Sequence, residues 1–401
     1  MLGKRGPQPG LFEADTLYGD FVGRSTFYGW LATERGTLFR DEDFAGLYCR
    51  GNGRPSVPPS LLAMALILQT YDDVSDDEAK QRADYDLRWK VALGVELGAR
   101  PFAKSTLQEF RAQLVVHEAQ ATLFQKSLEL AKQRGKLRTA TGDARKLKLA
   151  LDTTNILGRG AVQDTYRLLA DGIVQLGQAL AEVAGQAWPA WAAQHDLARY
   201  VTGPSLKGQA EVDWSDAAAK REFLAGIVAD ADRLLELART VREQLDGEDR
   251  AEATPAVVTA AGLLGRILAQ DIERTDAGPK VKQGVAPDRV VSVHDPEMRH
   301  GRKSASKRFD GHKSAIAVDT DEQLITAVTV LPGNAPDHEQ ALELVEQSAA
   351  NTGCVAAETH GDCAYGDGTT REQFAEAGQT LVAKVPGNAN TGFFSKSDFA
   401  L

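Results

Sequence analysis

The sequence predicts an α/β fold in which a mixed β-sheet carries a long helical insertion and is preceded by an all-helical module. Three observations lead to this prediction. Residues 60–140 repeat apolar side chains with helical spacing, the segment from Leu147 alternates apolar and polar residues, and strand and helix patterns follow each other from Phe309 onward. A chain of 401 residues with a 43% hydrophobic fraction is long enough for two or three domains.

The N-terminal part divides into an arm and a helical module. Residues 1–54 are rich in Gly, aromatic and acidic residues, and their weak periodicity predicts a loosely structured N-terminal arm. Helices are expected over residues 55–140. The first, LLAMALILQTY, follows two prolines, and Ser75 with Glu78 forms a capping box for the second. The third, STLQEFRAQLVVHEAQATLFQKSLELAKQ, is expected to be continuous.

The third region, residues 145–401, begins with the strand KLKLALDTTNILG. Its alternation places Leu147, Leu149 and Leu151 on one face and Asp152 on the other. Because an Ala-rich helical block at 160–278 separates this strand from the next ones, we expect that block to be an insertion into the sheet.

Strand and helix patterns then alternate to the end of the third region. FDGHKSAIAVDT and QLITAVTVLPGN are separated by two acids and predict a hairpin. A helix capped by Asp337, the strand CVAAETHGD, a helix capped at Thr369 and the strand TLVAKVPG follow. Helical crossovers between parallel strands make the predicted sheet mixed.

The charge is acidic on average and basic in two places. The 46 Lys and Arg against 56 Asp and Glu give a formal charge of −10, which excludes a uniformly basic nucleic-acid coat. The run at 132–148 has seven Lys and Arg and one Asp, a local charge of +6. The run at 299–313 has six Lys and Arg and one Asp, a local charge of +5. Both runs fit a local polyanion contact, and they equally fit two solvated loops.

Cysteine spacing and hydropathy exclude several classes of protein. Cys49, Cys354 and Cys363 build neither a disulfide framework nor a paired zinc site. With no apolar run of about 18 residues and no signal-peptide core, we expect a soluble cytoplasmic protein without a membrane partner. The phosphate-binding, serine-hydrolase and dinucleotide-binding glycine motifs are absent from the sequence, so chemistry on polynucleotides gains support by elimination.

Two carboxylates are the candidate chemical groups. Asp152 lies in ALDTTN and Asp362 follows a predicted strand in ETHGDCAYGD. Both can lie at strand ends, where paired carboxylates can bridge Mg²⁺ or Mn²⁺ for phosphoryl transfer. The alternatives are structural: Asp152 caps the following turn with Thr153 and Thr154, and Asp362 belongs to an ordinary Gly-Asp turn.

Histidines crowd the second half of the chain, but none has the i, i+4 spacing of a zinc pair. Most are expected to be polar surface residues. His360 lies two residues before Asp362 and could reach the same site. The set consists of His294, His300, His312, His338 and His360.

Several segments together resemble bacterial insertion-sequence transposases. VPPSLLAMALILQTYDDVSDDEAKQRADYDLRWKVALG is similar to the helical N-terminal domain of those proteins. LDTTNILGRGAVQDTYRLL, KRFDGHKSAIAVDTDEQLITAVTVLPGNAPDHEQA and GDCAYGDG resemble their Asp-Asp-Glu catalytic domain, which has a ribonuclease-H-like fold. The segments cover most of residues 50–385, and their joint order is more specific than any one of them.

The resemblance implies a DNA transposase that depends on Mg²⁺ or Mn²⁺, with Asp152 and Asp362 as the first two metal-binding carboxylates. Residues 55–140 would recognise the element ends. The implied partner is double-stranded DNA, at the element ends and at the target. A second copy of the same chain is also implied, in a homodimer bound to DNA of the nucleoid. The DNA backbone would be gripped by basic residues of the second run: Arg299, Arg302, Lys303, Lys307, Arg308 and Lys313.

One departure from the family concerns its third acid, a glutamate on a helix after the fifth strand. No such helix follows TLVAKV, and Asp398 lies in the wrong context. We therefore expect a C-terminally truncated transposase whose catalytic domain is incomplete; if it cleaves DNA, Glu358 or Asp367 would supply the third ligand. A catalytically inactive DNA-binding protein and a hydrolytic nuclease with two carboxylates are the alternatives.

Overall fold

The computed structural model describes residues 1–6, 10, 12–49, 51, 53–201, 206–245, 254–286, 288–303 and 306–385. Its contacts divide the chain into two compact units. The first comprises residues 1–147 and 346–356, and the second comprises 148–345 and 357–401. No helix within the described ranges combines the length and the apolar character needed to cross a membrane.

The first unit is largely helical and has one main core. Leu62 and Trp89 lie at its centre, and the Trp89 indole donates to Asp72 Oδ2 over 2.7 Å. Ser75 caps its helix as predicted, because its side chain accepts from the Glu78 amide. The helices are α1 Ala14–Val22, α2 Phe27–Leu38, α3 Pro59–Asp72, α4 Asp76–Tyr85, α5 Leu87–Leu93, α6 Lys104–Val116 and α7 Gln120–Gln133.

The N-terminal segment is more ordered than the sequence predicts. Residues expected to form a loose arm instead form α1, α2 and a 3₁₀ helix at Asp41–Leu47. Leu31 and Phe44 are buried in the same core as Leu62, so tertiary packing stabilises helices whose own sequence pattern is weak. The predicted continuous third helix is divided into α6 and α7, because Glu118 takes a left-handed φ of 52° between them.

Strands and helices alternate after the helical module. The first strand is β1 Leu147–Leu157, and the last is β8 Leu381–Ala383. Between them lie α8 Thr165–Val183, α9 Trp188–Gln194, α10 Leu206–Gln209, α11 Ala217–Leu245, α12 Thr254–Asp271, β2 Ile272–Thr275, β3 Gly278–Val281, β4 Arg299–Arg302, β5 Arg308–Asp319, β6 Leu324–Pro332, α13 Ala341–Thr352, β7 Ala356–Gly361 and α14 Gly368–Glu376.

The main sheet is mixed, as predicted. Its strand order is β4-β5-β1-β7-β8, and β6 also pairs with β5. Strand β5 runs antiparallel to β1, β4 and β6, whereas β7 and β8 are parallel. The predicted hairpin is therefore confirmed as β5–β6. Along β1, Leu147, Leu149 and Leu151 are buried and Asp152 is exposed, which confirms the predicted alternation.

The insertion has a core of its own and closes on itself. The Gln163 amide donates to the Val291 carbonyl over 2.9 Å, and the Gln163 side-chain oxygen accepts from the Val293 amide over 2.8 Å. Its start and its end therefore lie side by side. The sequence predicts a helical block that extends to residue 278, but its last residues belong to the separate β2–β3 hairpin. The core includes Leu168, Ile173, Leu224, Ile227, Leu264 and Ile267.

Two predicted helix caps are wrong. Helix α13 begins at Ala341, and the carboxylate of Asp337 accepts from the Lys313 ammonium over 2.7 Å instead of capping the helix. A charged donor is the stronger partner for a carboxylate. Helix α14 is capped by Asp367, whose Oδ1 accepts from the Thr370 amide over 3.1 Å, rather than by Thr369.

Candidate active site

Asp152 lies in the middle of β1, opposite Ile316 of β5. Its Oδ1 accepts from the Thr153 amide over 2.7 Å, and its Oδ2 has no hydrogen-bond partner among the described residues. The strand continues to Leu157, so Asp152 does not cap a turn there. An exposed carboxylate inside a strand, with one open oxygen, is available to a ligand.

Asp362 directly follows β7, the neighbour of β1 in the sheet. Its Oδ1 accepts from the Ala364 amide over 2.7 Å and caps a 3₁₀ turn at Cys363–Tyr365. Its other oxygen has no hydrogen-bond partner within the described ranges. Asp152 and Asp362 thus belong to one strand and to the end of its neighbour in the sheet, and Asp362 also performs the turn-capping role expected from its Gly-Asp sequence.

A buried tyrosine lies in the same turn as Asp362. Tyr365 is 2% exposed, and its ring is so close to Gly361 that a Cβ there would be 2.7 Å from the Tyr365 side chain. Its hydroxyl has no hydrogen-bond partner among the described residues. Burial raises the pKa of Tyr365, and the charges of Asp337, Asp152 and Asp362 raise this pKa further. The charges of all three carboxylates therefore act on one hydroxyl, which keeps its proton.

Asp337 is the residue that sequence reasoning missed. It precedes α13, and its Oδ1 accepts from Lys313, which is only 7% exposed and also donates to the Ala335 carbonyl over 2.6 Å. The adjacent His338 donates from Nδ1 to the Ala364 carbonyl over 2.9 Å. This bond joins the Asp337 segment to the turn that Asp362 caps. The local sequence carries no signal for this, because an Asp before a helix pattern predicts a cap.

The donor set fits a hard divalent cation. Asp152, Asp337 and Asp362 each have one carboxylate oxygen bonded within the protein and one without a partner in the part of the chain that the structure describes. Such oxygens suit Mg²⁺ or Mn²⁺. No three His, Cys, Asp or Glu side chains in the described ranges are grouped closely enough to enclose an ion. Mg²⁺ commonly keeps several of its waters and is bound through one or two carboxylates.

Other acids of the region already have partners. Glu358 pairs with His360 and with Lys148, each over 3.2 Å, and the hydrogen bonds from His360 and Lys148 lower its pKa. His360 therefore contacts Glu358 rather than Asp362. Asp367 caps α14 and also bonds the Thr370 hydroxyl. Asp398 lies outside the described residues.

The remaining histidines contact carboxylates other than Asp152 and Asp362. These pairs are His294 with Asp171, His300 with Asp310, and His312 with Asp295. Their partners lie in the insertion or beside the β4–β5 hairpin, as the pairing of His300 with Asp310 across β4 and β5 illustrates. We therefore assign none of them to the candidate site.

The second basic run forms the β4–β5 hairpin, whose first strand the sequence did not predict. Arg299 is buried and donates to the Pro296 and Met298 carbonyls as well as to Asp288. Lys313 is buried against Asp337. These two cations are bonded within the protein. The exposed basic residues of the hairpin are Arg302, Lys303, Lys307 and Arg308.

The first basic run is largely engaged within its own unit. Arg134 pairs with Glu34, Lys132 donates to the Asn351 carbonyl over 2.8 Å, and Arg145 donates to the Lys136 carbonyl over 2.7 Å. A phosphate would have to compete with these partners. The hairpin is therefore the better candidate for a phosphate contact.

Two family models match the chain. The model described as a transposase domain (DUF772) matches residues 35–113, and the model described as a transposase DDE domain matches residues 280–392. Together they support an insertion-sequence transposase of the Asp-Asp-Glu class. The resemblance found in the sequence is thereby confirmed by both family models. No curated protein and no solved structure matches the chain.

The matched ranges agree with the described elements of the chain. The first runs from the end of α2 through most of α6, and thus includes residues that the sequence placed in an arm. The second includes the strands β4 to β8 and Asp362. Asp152 lies outside both ranges, so its place in the candidate site depends on the pairing of β1 with its neighbours.

Proposed function

We propose that this transposase binds the ends of its insertion sequence and performs metal-dependent cleavage and transfer of DNA strands. The observation that carries the proposal is the placement of Asp152 and Asp362, each with an open carboxylate oxygen, on neighbouring strands of the sheet. The strand order β6-β5-β1-β7-β8, with three antiparallel strands followed by a parallel pair, supports a ribonuclease-H-like catalytic domain.

Asp152 and Asp362 would hold the cation, for which we propose Mg²⁺ or Mn²⁺. When bound, such ions activate water or a DNA 3′-hydroxyl and stabilise the charge that develops on the phosphate. The hydrogen bonds from the Thr153 and Ala364 amides fix one oxygen of each carboxylate and so orient the other. This orientation reduces the freedom that ion binding would otherwise remove.

Double-stranded DNA is the proposed partner, at the element ends and at the target. We assign end recognition to the helices of residues 55–140 and the phosphate contacts to the exposed side chains of the β4–β5 hairpin. Arg299 and Lys313, which are buried, would shape this hairpin rather than contact phosphate themselves. A homodimer on the nucleoid would bring two element ends together. Arg302, Lys303, Lys307 and Arg308 would make the phosphate contacts.

The test is incubation of the full chain with a supercoiled plasmid carrying the element ends, in Mg²⁺ and in Mn²⁺. Gel electrophoresis then separates nicked, cut and joined products. We expect Asp152→Asn and Asp362→Asn each to abolish these products, and the matched Glu358→Gln, which removes a paired acid nearby, to retain them. Cleavage that persists in both Asp variants would refute the assignment.

An inactive transposase that acts only as a DNA-binding protein is the second candidate. It is favoured by the absence, in the described part of the chain, of three acidic or other ligating side chains grouped around one point. End-specific DNA binding without metal and without any cleavage would select it. Nicking of any duplex regardless of sequence would instead indicate a hydrolytic nuclease.

A further inference from the structure

Asp337 is placed beside the candidate site by contacts between distant segments. Its neighbour His338 is bonded to the Ala364 carbonyl in the turn that Asp362 caps. Its own carboxylate is fixed by Lys313, which comes from β5, the strand paired with β1 and hence with the strand of Asp152. Asp337 is therefore attached to the elements that carry both proposed ligands.

The Asp337 carboxylate is only half satisfied. Its side chain is 32% exposed, Oδ1 accepts from Lys313, and Oδ2 has no hydrogen-bond partner among the residues that the structure describes. A carboxylate whose only function was to neutralise Lys313 would not need an open oxygen near two further acids.

Tyr365 provides an independent observation. Its side chain is almost fully buried, yet its hydroxyl has no partner within the described ranges. The charge of Asp337 acts on this hydroxyl together with those of Asp152 and Asp362. Buried hydroxyls are nearly always hydrogen-bonded, so an orphan hydroxyl on which three acids act points to a polar ligand that is bound together with the cation.

The rival acids have other roles. Glu358 has two partners, Lys148 and His360. Asp367 uses both carboxylate oxygens on Thr370 of α14. Neither has the combination of a fixed and an open oxygen that Asp152, Asp337 and Asp362 share.

We propose that Asp337 is a third acidic residue of the Asp152–Asp362 site, positioned by Lys313, and that it acts on the water shell of the bound cation. The inference rests on the proposed function, because it presupposes a cation at Asp152 and Asp362. Asp337 is a positioning residue in this scheme: its open oxygen accepts from the waters that the ion retains. Such outer partners commonly change metal affinity by about 10- to 100-fold.

The test is a titration of the full chain with Mn²⁺ in the absence of DNA. Electron paramagnetic resonance measures the free Mn²⁺ at each step and so reports how much is bound. We expect Asp337→Asn to weaken binding about 10-fold, whereas Asp337→Glu, which keeps the charge, recovers most of the affinity. The control Glu358→Gln removes the same charge from a paired acid and should bind like the wild type. Asp337→Asn leaves the buried Lys313 ammonium opposite a neutral group and should unfold at a lower temperature than the wild type without metal, so binding is measured well below that temperature.

A second variant guards against misfolding of the first. Lys313→Met/Asp337→Asn removes both members of the ion pair and leaves the net charge of the protein unchanged. It therefore separates the effect of the Asp337 carboxylate on Mn²⁺ binding from the effect of the protein's net charge. It should also bind Mn²⁺ about 10-fold more weakly than the wild type. Wild-type affinity in either Asp337→Asn or the double variant would overturn the inference.

Asp152→Asn distinguishes failure of the inference from failure of the proposed function. If Asp152→Asn weakens Mn²⁺ binding and Asp337→Asn does not, the inference alone is wrong. If Asp152→Asn also binds like the wild type, the cation site itself is wrong, and the inference is overturned with it.

Discussion

Individual aspartates of this chain differ in how completely their carboxylates are bonded. Asp76 accepts from Arg111, Gln69 and Gln108, over 2.7, 2.8 and 2.9 Å. Asp152, by contrast, accepts only from the next backbone amide among the described residues and is exposed. A fully bonded carboxylate stabilises the fold, whereas a half-bonded one is available for chemistry. The same amino acid thus serves two purposes in the two units.

Asp76→Asn is expected to destabilise the helical unit by about 1–2 kcal/mol at pH 7. Hydrogen bonds from Arg111, and then from Gln69 and Gln108, hold the pKa of Asp76 well below its ordinary value. Because the folded-state pKa is depressed, this stabilisation is fully present above the unfolded pKa of about 3.9 and is lost as the pH falls toward the folded pKa.

Urea unfolding at several pH values measures this difference. The gap between wild type and Asp76→Asn should narrow steadily below about pH 4. Asp77→Asn is the matched control, because the Asp77 side chain is 70% exposed and pairs only with Lys104 at the surface. A pH-independent gap would show that Asp76 contributes through its shape rather than its charge.

In the absence of metal, Tyr365→Phe is expected to leave the stability unchanged or to raise it by up to about 2 kcal/mol, because it removes a buried hydroxyl without a described partner. Tyr28→Phe is the matched comparison. The Tyr28 hydroxyl donates to Asp72 over 2.6 Å, so its loss should cost about 1–2 kcal/mol. Both are measured by chemical denaturation. A larger loss for Tyr365→Phe than for Tyr28→Phe would mean that a tightly bound water satisfies Tyr365.

At the scale of elements, the packing of α8 against α9 depends on a glycine. A Cβ on Gly177 would lie 2.3 Å from the Trp188 ring, whereas a Cβ on Gly262 of α12 would meet nothing within 4 Å. Gly177→Ala should therefore destabilise by about 1–3 kcal/mol through overpacking. Gly262→Ala should stabilise by about 0.5–1 kcal/mol, because Ala is the better helix former. Thermal unfolding of both variants measures the two changes in stability. Equal changes would contradict the claim that Gly177 is needed for the packing of α8 against α9.

The β4–β5 hairpin should determine the salt dependence of DNA binding. Arg302→Gln/Lys303→Gln removes two exposed charges from it and should flatten the slope of log affinity against log salt by up to about 0.9 per lost contact. Arg239→Gln/Arg242→Gln removes two charges from α11 and is the matched control, expected to leave the slope unchanged. Binding is measured by fluorescence anisotropy at several salt concentrations. Equal slopes for both double variants would make the hairpin an ordinary solvated surface.

The elements that the sequence predicted well are those whose patterns are dictated locally. The alternation of β1 and the two apolar runs of β5–β6 follow directly from burial of one strand face. Strand β4 could not be predicted in this way, because its inward residues are Arg299 and Gly301 rather than apolar side chains. Gly301 is needed there, since a Cβ would lie 2.2 Å from the Phe309 ring. Such a contact is invisible in the local pattern.

At the scale of the whole molecule, the candidate site was predictable only in part. Asp152 and Asp362 could be predicted, because each adjoins a strong strand pattern and the family resemblance points to both. Asp337 could not, because its role depends on a buried Lys313 from another strand and on a bond from His338 to a distant turn. Burial and pairing between remote segments are properties of the folded chain, and no local spacing encodes them.

The hydrogen bonds that Gln163 makes with Val291 and Val293 have a consequence for how the length of the insertion can change. Gln163, at the start of the insertion, is hydrogen-bonded to Val291 and Val293, which follow its end. The two points where the insertion joins the sheet therefore stay close together whatever the length of the chain between them. Loop-closure entropy grows only with the logarithm of length, so lengthening or shortening such a segment costs little. The helices α8–α12 can therefore be replaced by a longer or shorter segment with a different surface. The strands β1 and β5 would keep the register that holds Asp152 opposite Ile316.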